Sequence, residues 1–101
     1  MRLYKDARTS WKAESEKEFN GRVLKLLTMR RSNGELVTTV QAVKNDGAFT
    51  VYRPFYDYNQ TLHRERVRLT QAACTAQHLK WHERLDELAV DAERFYTLKG
   101  E

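Results

Sequence analysis

Glycine is scarce in this chain, four residues in 101, and the positions of two of them constrain the architecture most. Gly34 and Gly47 close the turn signals Ser32-Asn33-Gly34 and Asn45-Asp46-Gly47, each set between apolar, β-branched segments. Asn-Gly and Asp-Gly supply residues that accept φ > 0, as two-residue hairpin turns require, so the two signals predict a three-strand meander. Its strands are expected over residues 22–31, 35–44 and 48–55. In the second of these, Leu36, Thr38, Val40 and Ala42 share one face and Val37, Thr39, Gln41 and Val43 the other. Both faces are partly apolar, which predicts a central strand covered by a helix on one side and by the N-terminal segment or a second subunit on the other.

Pro54 cannot donate to a ladder and should end the third strand or place it at an edge. An aromatic-rich loop follows, Phe55-Tyr56-Asp57-Tyr58-Asn59-Gln60. Residues 63–69 then alternate, with Arg64, Arg66 and Arg68 on one side and Glu65, Val67 and Leu69 on the other, which predicts a fourth strand with a basic outer face. Thr70 is an N-cap candidate, and the sequence beyond it is rich in helix formers. A single helix over residues 71–98 is expected, with Gly100 just past its end. At 100° per residue Cys74, His78, Trp81, Leu85, Leu88, Ala89, Ala92, Phe95 and Tyr96 form one core-facing stripe. Ala72, Ala76 and Leu79 fall on roughly the opposite face and are the expected contact of a homodimer. Residues 1–20 read equally as a capped helix carrying Trp11, Ser15 and Phe19 on one side, or as a strand in which Trp11, Ala13, Ser15, Lys17 and Phe19 alternate. In either form Trp11 should anchor the segment to the rest of the fold.

The expected fold is therefore α+β and a single domain. A four-stranded antiparallel meander (21–69) packs against one long C-terminal helix (70–98), with an N-terminal arm (1–20) folded over the sheet or along its edge. Length allows one hydrophobic core, and 41% hydrophobic with 32% charged residues is a globular balance. No stretch approaches the ~20 apolar residues of a membrane span, and the N-terminus lacks the apolar region of a secretory signal, so the expectation is a cytoplasmic protein with no membrane contact. Cys74 is the single cysteine, which excludes an internal disulfide and a Cys-rich zinc framework. The net charge of +4 is concentrated in residues 1–70, where fourteen Lys and Arg face eight Asp and Glu. Such a surface favours anionic partners.

Chemistry is sparse. Cys74, His78 and His82 follow one another at i, i+4 and i+8, and His63 or Asp57 would have to supply a fourth metal ligand. One straight helix rarely converges three ligands. The simpler reading places Cys74 and His78 in the core, so no metal is expected. No Gly-rich phosphate loop exists, no Ser, Cys or Thr sits in a sharp glycine turn beside a histidine, and Glu14, Glu16 and Glu18 are interleaved with lysine. Neither a catalytic residue nor a cofactor is expected. The chain reads as a small binding module whose partner is a protein, an adaptor or an inhibitor of the kind carried by phages and plasmids. Its contact surface is expected at Arg53, Phe55, Tyr56, Tyr58, Arg64, Arg66 and Arg68, since Tyr, Trp and Arg dominate interface hot spots. The alternative partner is nucleic acid, with the arginines on phosphates and Tyr52, Tyr56 and Tyr58 stacking on bases. Against both stands the use of alternating arginine simply to protect a sheet edge.

Overall fold

The computed structural model describes residues 1–5, 10–44, 58–68 and 70–100. Five strands come first: β1 (Arg2–Lys5), β2 (Trp11–Phe19), β3 (Arg22–Arg30), β4 (Leu36–Lys44) and β5 (Tyr58–Glu65). Two helices follow, α1 (Gln71–His82) and α2 (Leu85–Leu98). The strands lie in sequence order, β1-β2-β3-β4-β5, every neighbouring pair antiparallel.

The α+β class and the antiparallel meander match the sequence reading, while the element count does not. Residues expected as an arm form β1 and β2, so the sheet has five strands among the described residues where four were expected in the whole chain. The strand reading of Trp11 to Phe19 prevails because Ala13 and Ser15 are buried while Glu16 and Glu18 are exposed. The turn that enforces it is Asn20-Gly21, with φ of 46° and 73°, the pair of left-handed residues that a two-residue hairpin needs. At the next turn only Gly34 is left-handed, φ 84°, and Arg31 N–H donates to Glu35 O at 2.8 Å. This is a three-residue loop, not the two-residue Asn-Gly turn expected there. The strand expected over residues 48–55 lies outside the described residues. The strand expected over residues 63–69 is displaced toward the N-terminus: β5 begins at Tyr58, inside the expected loop, and ends at Glu65.

The single long helix is also corrected. Thr70 caps α1 as expected, its Oγ1 accepting from Ala73 N–H at 3.0 Å. The helix then breaks at Glu83-Arg84, where Arg84 N–H donates to Trp81 O in a tightened turn. Charge favours the break. Lys80 stands in the last turn of α1, and Asp86 and Glu87 in the first turn of α2, each complementing the dipole of its own helix end. The break lets the two halves of the stripe meet different parts of the sheet.

Both helices lie on the sheet face that carries Ala13, Ser15, Leu24, Leu26, Thr28, Leu36, Thr38, Val40 and Ala42. On the α2 side Leu24, Leu26, Val40 and Ala42 pack with Leu88, Ala89, Ala92 and Tyr96. A smaller cluster joins Ala13, Leu36 and Cys74, with Leu3, Trp11 and Val67 against it, so Trp11 anchors the N-terminal hairpin as expected. Truncating a buried leucine of the larger cluster should cost about 2–5 kcal/mol. Among the described residues no helix is long and apolar enough to cross a membrane.

Candidate functional site

A polar seam separates the two apolar clusters. Register places Ala13 opposite Thr28 and Thr28 opposite Thr38, so two hydroxyls fall side by side at the middle of the helix-covered face. They bond to each other at 2.7 Å. From α1, Gln77 Nε2 donates to Thr38 Oγ1 at 3.0 Å and to Leu36 O at 3.2 Å. His78 inserts its ring between strands, with Nδ1 2.9 Å from Thr28 Oγ1 and Nε2 2.7 Å from Ser15 Oγ. Ser15 Oγ is also 2.7 Å from His82 Nδ1. Among the described residues no buried side-chain nitrogen or oxygen lacks a partner.

The sense of this chain follows from its fixed end. Leu36 O can only accept, so the Gln77 atom facing it is the amide nitrogen, which donates to Thr38. Thr38 then donates to Thr28, Thr28 to His78 Nδ1, His78 Nε2–H to Ser15, and Ser15 to His82 Nδ1. Every proton is used. The reverse sense gives Thr38 two donors and leaves its own proton without a place in the chain. His78 is completely buried. Burial, reinforced by His82 and the amino terminus and only partly opposed by Glu14, pushes its pKa down to about 4. The ring is neutral at neutral pH, as its role of accepting at one nitrogen and donating at the other requires.

Cys74, His78 and His82 thus serve the seam. Cys74 Sγ is buried and points at Thr28 O, 4.0 Å away, and burial raises its thiol pKa. Both nitrogens of His78 are engaged. His63 lies across the sheet in β5, where Trp81 Nε1 donates to its Nδ1 at 3.2 Å and its Nε2 meets Glu65 at 3.1 Å. Asp57 is outside the described residues. Among the described residues no three His, Cys, Asp or Glu side chains are grouped to hold a metal. Ser15 beside two imidazoles has the composition of a nucleophile and base, but it is only 4% exposed.

Of the residues expected at the contact surface, the four that are described, Tyr58, Arg64, Arg66 and Arg68, do not form one stripe. Arg64 stands in β5 opposite Val37, and its Nε donates to Glu35 Oε2 at 2.9 Å. Arg66 and Arg68 follow the end of β5 and are exposed. Tyr58 turns into the core, its ring centroid 5.0 Å from Phe95 and 6.3 Å from Tyr96. Arg53, Phe55 and Tyr56 lie outside the described residues. Ala72 and Ala76 are exposed on the outer side of α1, with Leu79 41% exposed near them.

No described helix packs on the second face of the sheet, the face for which the sequence predicted cover by the N-terminal segment or a second subunit; the N-terminal segment instead joins the sheet as β1 and β2. Register lines up Arg2, Glu14, Leu27, Thr39 and Thr61 across the strands, and next to them Tyr4, Lys12, Met29, Val37 and Arg64. Leu27, Met29 and Val37 form an apolar centre on β3 and β4, and charge surrounds it. Glu14 takes a 2.7 Å hydrogen bond from the Tyr4 hydroxyl and an ion pair from Lys25 at 3.4 Å. Burial acts to raise the Glu14 pKa, but Tyr4, Lys25 and Arg2 together outweigh it and hold the carboxyl below its usual range. At the β3–β4 turn Arg31, Ser32, Asn33, Val37, Thr61 and Arg64 line a groove of about 330 Å³. The alternation of residues 23–29 and 37–41 was the available signal, since it places apolar side chains on both faces.

No protein-family model matches the chain, and neither a curated protein nor a solved structure is similar to it.

Proposed function

We propose that the chain is a small non-catalytic binding module, an adaptor or inhibitor, whose partner is a protein docking on the sheet face opposite the helices. The observation that supports this most is the pattern on that face. Leu27 and Met29, half-buried beside the buried Val37, form an apolar centre, Lys12, Glu14, Lys25 and Arg64 a charged margin, and the Arg31/Arg64 groove continues it at one end. An apolar centre inside a polar rim is how protein interfaces are built, and the arginines suit a partner with acidic side chains beside its own apolar anchor. A non-catalytic role is supported by the sealing of Ser15 and His78, which leaves that pair no route to a substrate. A homodimer through Ala72, Ala76 and Leu79 remains a separate proposal, and sedimentation at increasing concentration tests it.

The test is capture of partners from the native host by wild type and by a Leu27→Lys, Met29→Lys double variant whose circular dichroism matches wild type. A protein recovered by wild type, retained after nuclease treatment and lost with the variant supports the reading. Equal recovery by both defeats it. Nucleic acid is the second reading, favoured by Arg31 and Arg64 sharing one groove while Arg66 and Arg68 are exposed. It requires oligonucleotide binding that weakens steeply with salt, with a shallower slope once Arg64, Arg66 and Arg68 become Gln.

A further inference from the structure

The groove at the β3–β4 turn, about 330 Å³ in volume, is lined among the described residues by Arg31, Ser32, Asn33, Val37, Thr61 and Arg64. We propose that it is a phosphate-monoester site, which receives a phosphorylated serine or threonine side chain of the protein partner. The identity of the carrier rests on the protein-docking reading, the phosphate chemistry on the groove alone.

The lining is rich in donors and poor in acceptors. Arg31 meets its neighbours through its backbone, its N–H donating to Glu35 O at 2.8 Å and its carbonyl accepting from Gly34 N–H at 3.0 Å. Among the described residues its whole guanidinium fork is left for a ligand. The Arg64 Nε–H is taken by Glu35 Oε2 at 2.9 Å, which fixes the guanidinium plane and leaves the two outer nitrogens to donate. Asn33 Oδ1 accepts from Glu35 N–H at 3.0 Å, so the acceptor of that amide is engaged and its NH₂ group is left to donate. The hydroxyls of Ser32 and Thr61 add further donors, and Val37 supplies an apolar wall. No carboxylate lines the groove among the described residues. Such a lining calls for a ligand made of acceptors.

A carboxylate has two oxygens and is satisfied by one arginine fork. Two forks, an amide and two hydroxyls exceed that demand. They match a phosphate monoester, whose three terminal oxygens carry a charge of about −1.5 to −2 at neutrality, and arginine pairs are the usual recognition device for such a group. Position selects the source. Glu35, held at Arg64, sets a negative charge beside the groove, which a single compact anion tolerates and a run of phosphates along a nucleic-acid backbone does not. Val37 stands opposite Met29 in the β3–β4 register, and these aliphatic neighbours suit an apolar side chain flanking the phosphorylated residue. Single-strand binders instead offer aromatic platforms to bases, and among the described residues no aromatic ring lines the groove.

The experiment is amide proton–nitrogen NMR of the full chain at constant ionic strength, titrated with N-acetyl-phosphoserine methylamide and, separately, with N-acetyl-aspartate methylamide. Expected are saturating shifts at residues 32–34 and at Thr61 with the phosphoserine probe at about 1–10 mM, and binding of the aspartate probe weaker by about tenfold or more. Arg31→Gln and Arg64→Gln, both at exposed positions, should each weaken the phosphoserine probe about tenfold. Arg68→Gln, exposed and outside the groove lining, should leave it unchanged. Absence of saturation at these amides, equal binding of the aspartate probe, or equal weakening by Arg68→Gln overturns the site. An oligothymidylate with a terminal phosphate that binds there more tightly than the phosphoserine probe assigns the groove to nucleic acid and overturns the protein source. Capture from the native host separates this failure from that of the docking reading. Phosphatase treatment of the lysate should abolish capture of the partner. A protein lost with the Leu27→Lys, Met29→Lys variant yet still captured after phosphatase leaves docking standing and overturns the phosphate.

Discussion

Acid should destabilise this fold through His78, over a window set by its burial. The perturbation is pH alone. In the unfolded chain the imidazole has its ordinary pKa of 6.5, and in the folded protein about 4. Between these values the unfolded state holds a proton that the native state refuses. Stability from this source is therefore complete above about pH 6.5, declines as pH falls toward 4, and changes no further below that. A difference of this size corresponds to roughly 3 kcal/mol, at about 1.4 kcal/mol per pH unit where the slope is full. That is a large fraction of the ~5–15 kcal/mol that holds a small domain together. Most of the loss falls above pH 4.5, the ordinary value from which Glu14 is lowered, and so precedes the Glu14 contribution. Glu14 has the same sign, its stabilisation being present above its unfolded pKa and lost as pH falls through the lowered folded one. Urea denaturation at intervals from neutrality to pH 4.5, on wild type and on His78→Gln, isolates the histidine. The variant should start less stable and lose less per pH unit. Parallel lines for the two proteins, or a wild type that gains stability on acidification, would refute the assignment of a neutral, proton-refusing His78.

Two further outcomes follow from the packing and the turns. Tyr58→Ala removes a ring packed on Phe95 and Tyr96 and should lower stability by about 2 kcal/mol in thermal or urea unfolding, which makes it a core variant and a poor probe of partner contact. Gly21→Val places a β-branched residue at φ 73° with open space around its Cβ. Its cost should be purely conformational, about 1–2 kcal/mol, whereas Asn20→Gly should change the unfolding midpoint little.

How far the sequence could be read depends on the kind of signal each element carries. β3, β4 and the helical segments were legible because their periodicity extends over many residues, and the core stripe from Cys74 to Tyr96 lies where the 100° rule puts it. Asn20-Gly21 is as strong a hairpin signal as Asn33-Gly34, and weighing it would have turned the ambiguous arm into β2. The helix break was also written in charge, with Lys80 in the last turn of α1 shortly before the acids that open α2, but helix propensity alone is blind to it. β5 was misplaced because its alternation is faulty. A register shift at Thr38/Thr39 lets both Leu62 and His63 face the helices, as a bulge does, so a strict period of two selects residues 63–69 instead of Tyr58–Glu65. The seam was invisible in one dimension. Ser15, Thr28, Thr38 and Gln77 are ordinary strand and helix residues until pairing brings them together.

That seam accounts for something apolar packing does less well. A slip of β4 against β3 by two residues keeps every side chain on its proper face, and Leu, Val and Ala can exchange neighbours at modest cost. Hydroxyls cannot. Moving Thr38 away from Thr28 would strand the Thr38 hydroxyl and the Gln77 amide, which bonds Thr38 and Leu36 on the same strand, each a loss of about 1–3 kcal/mol in a site closed to water. The buried residues of α1 are Cys74, Gln77 and His78, against Leu88, Ala89, Ala92 and Tyr96 in α2. α2 is thus held mainly by apolar area, which is tolerant of small shifts, and α1 by directional bonds, which are not. The polar seam contributes less to net stability than to uniqueness: it fixes the β3–β4 register and the seating of α1 on one set of hydroxyls.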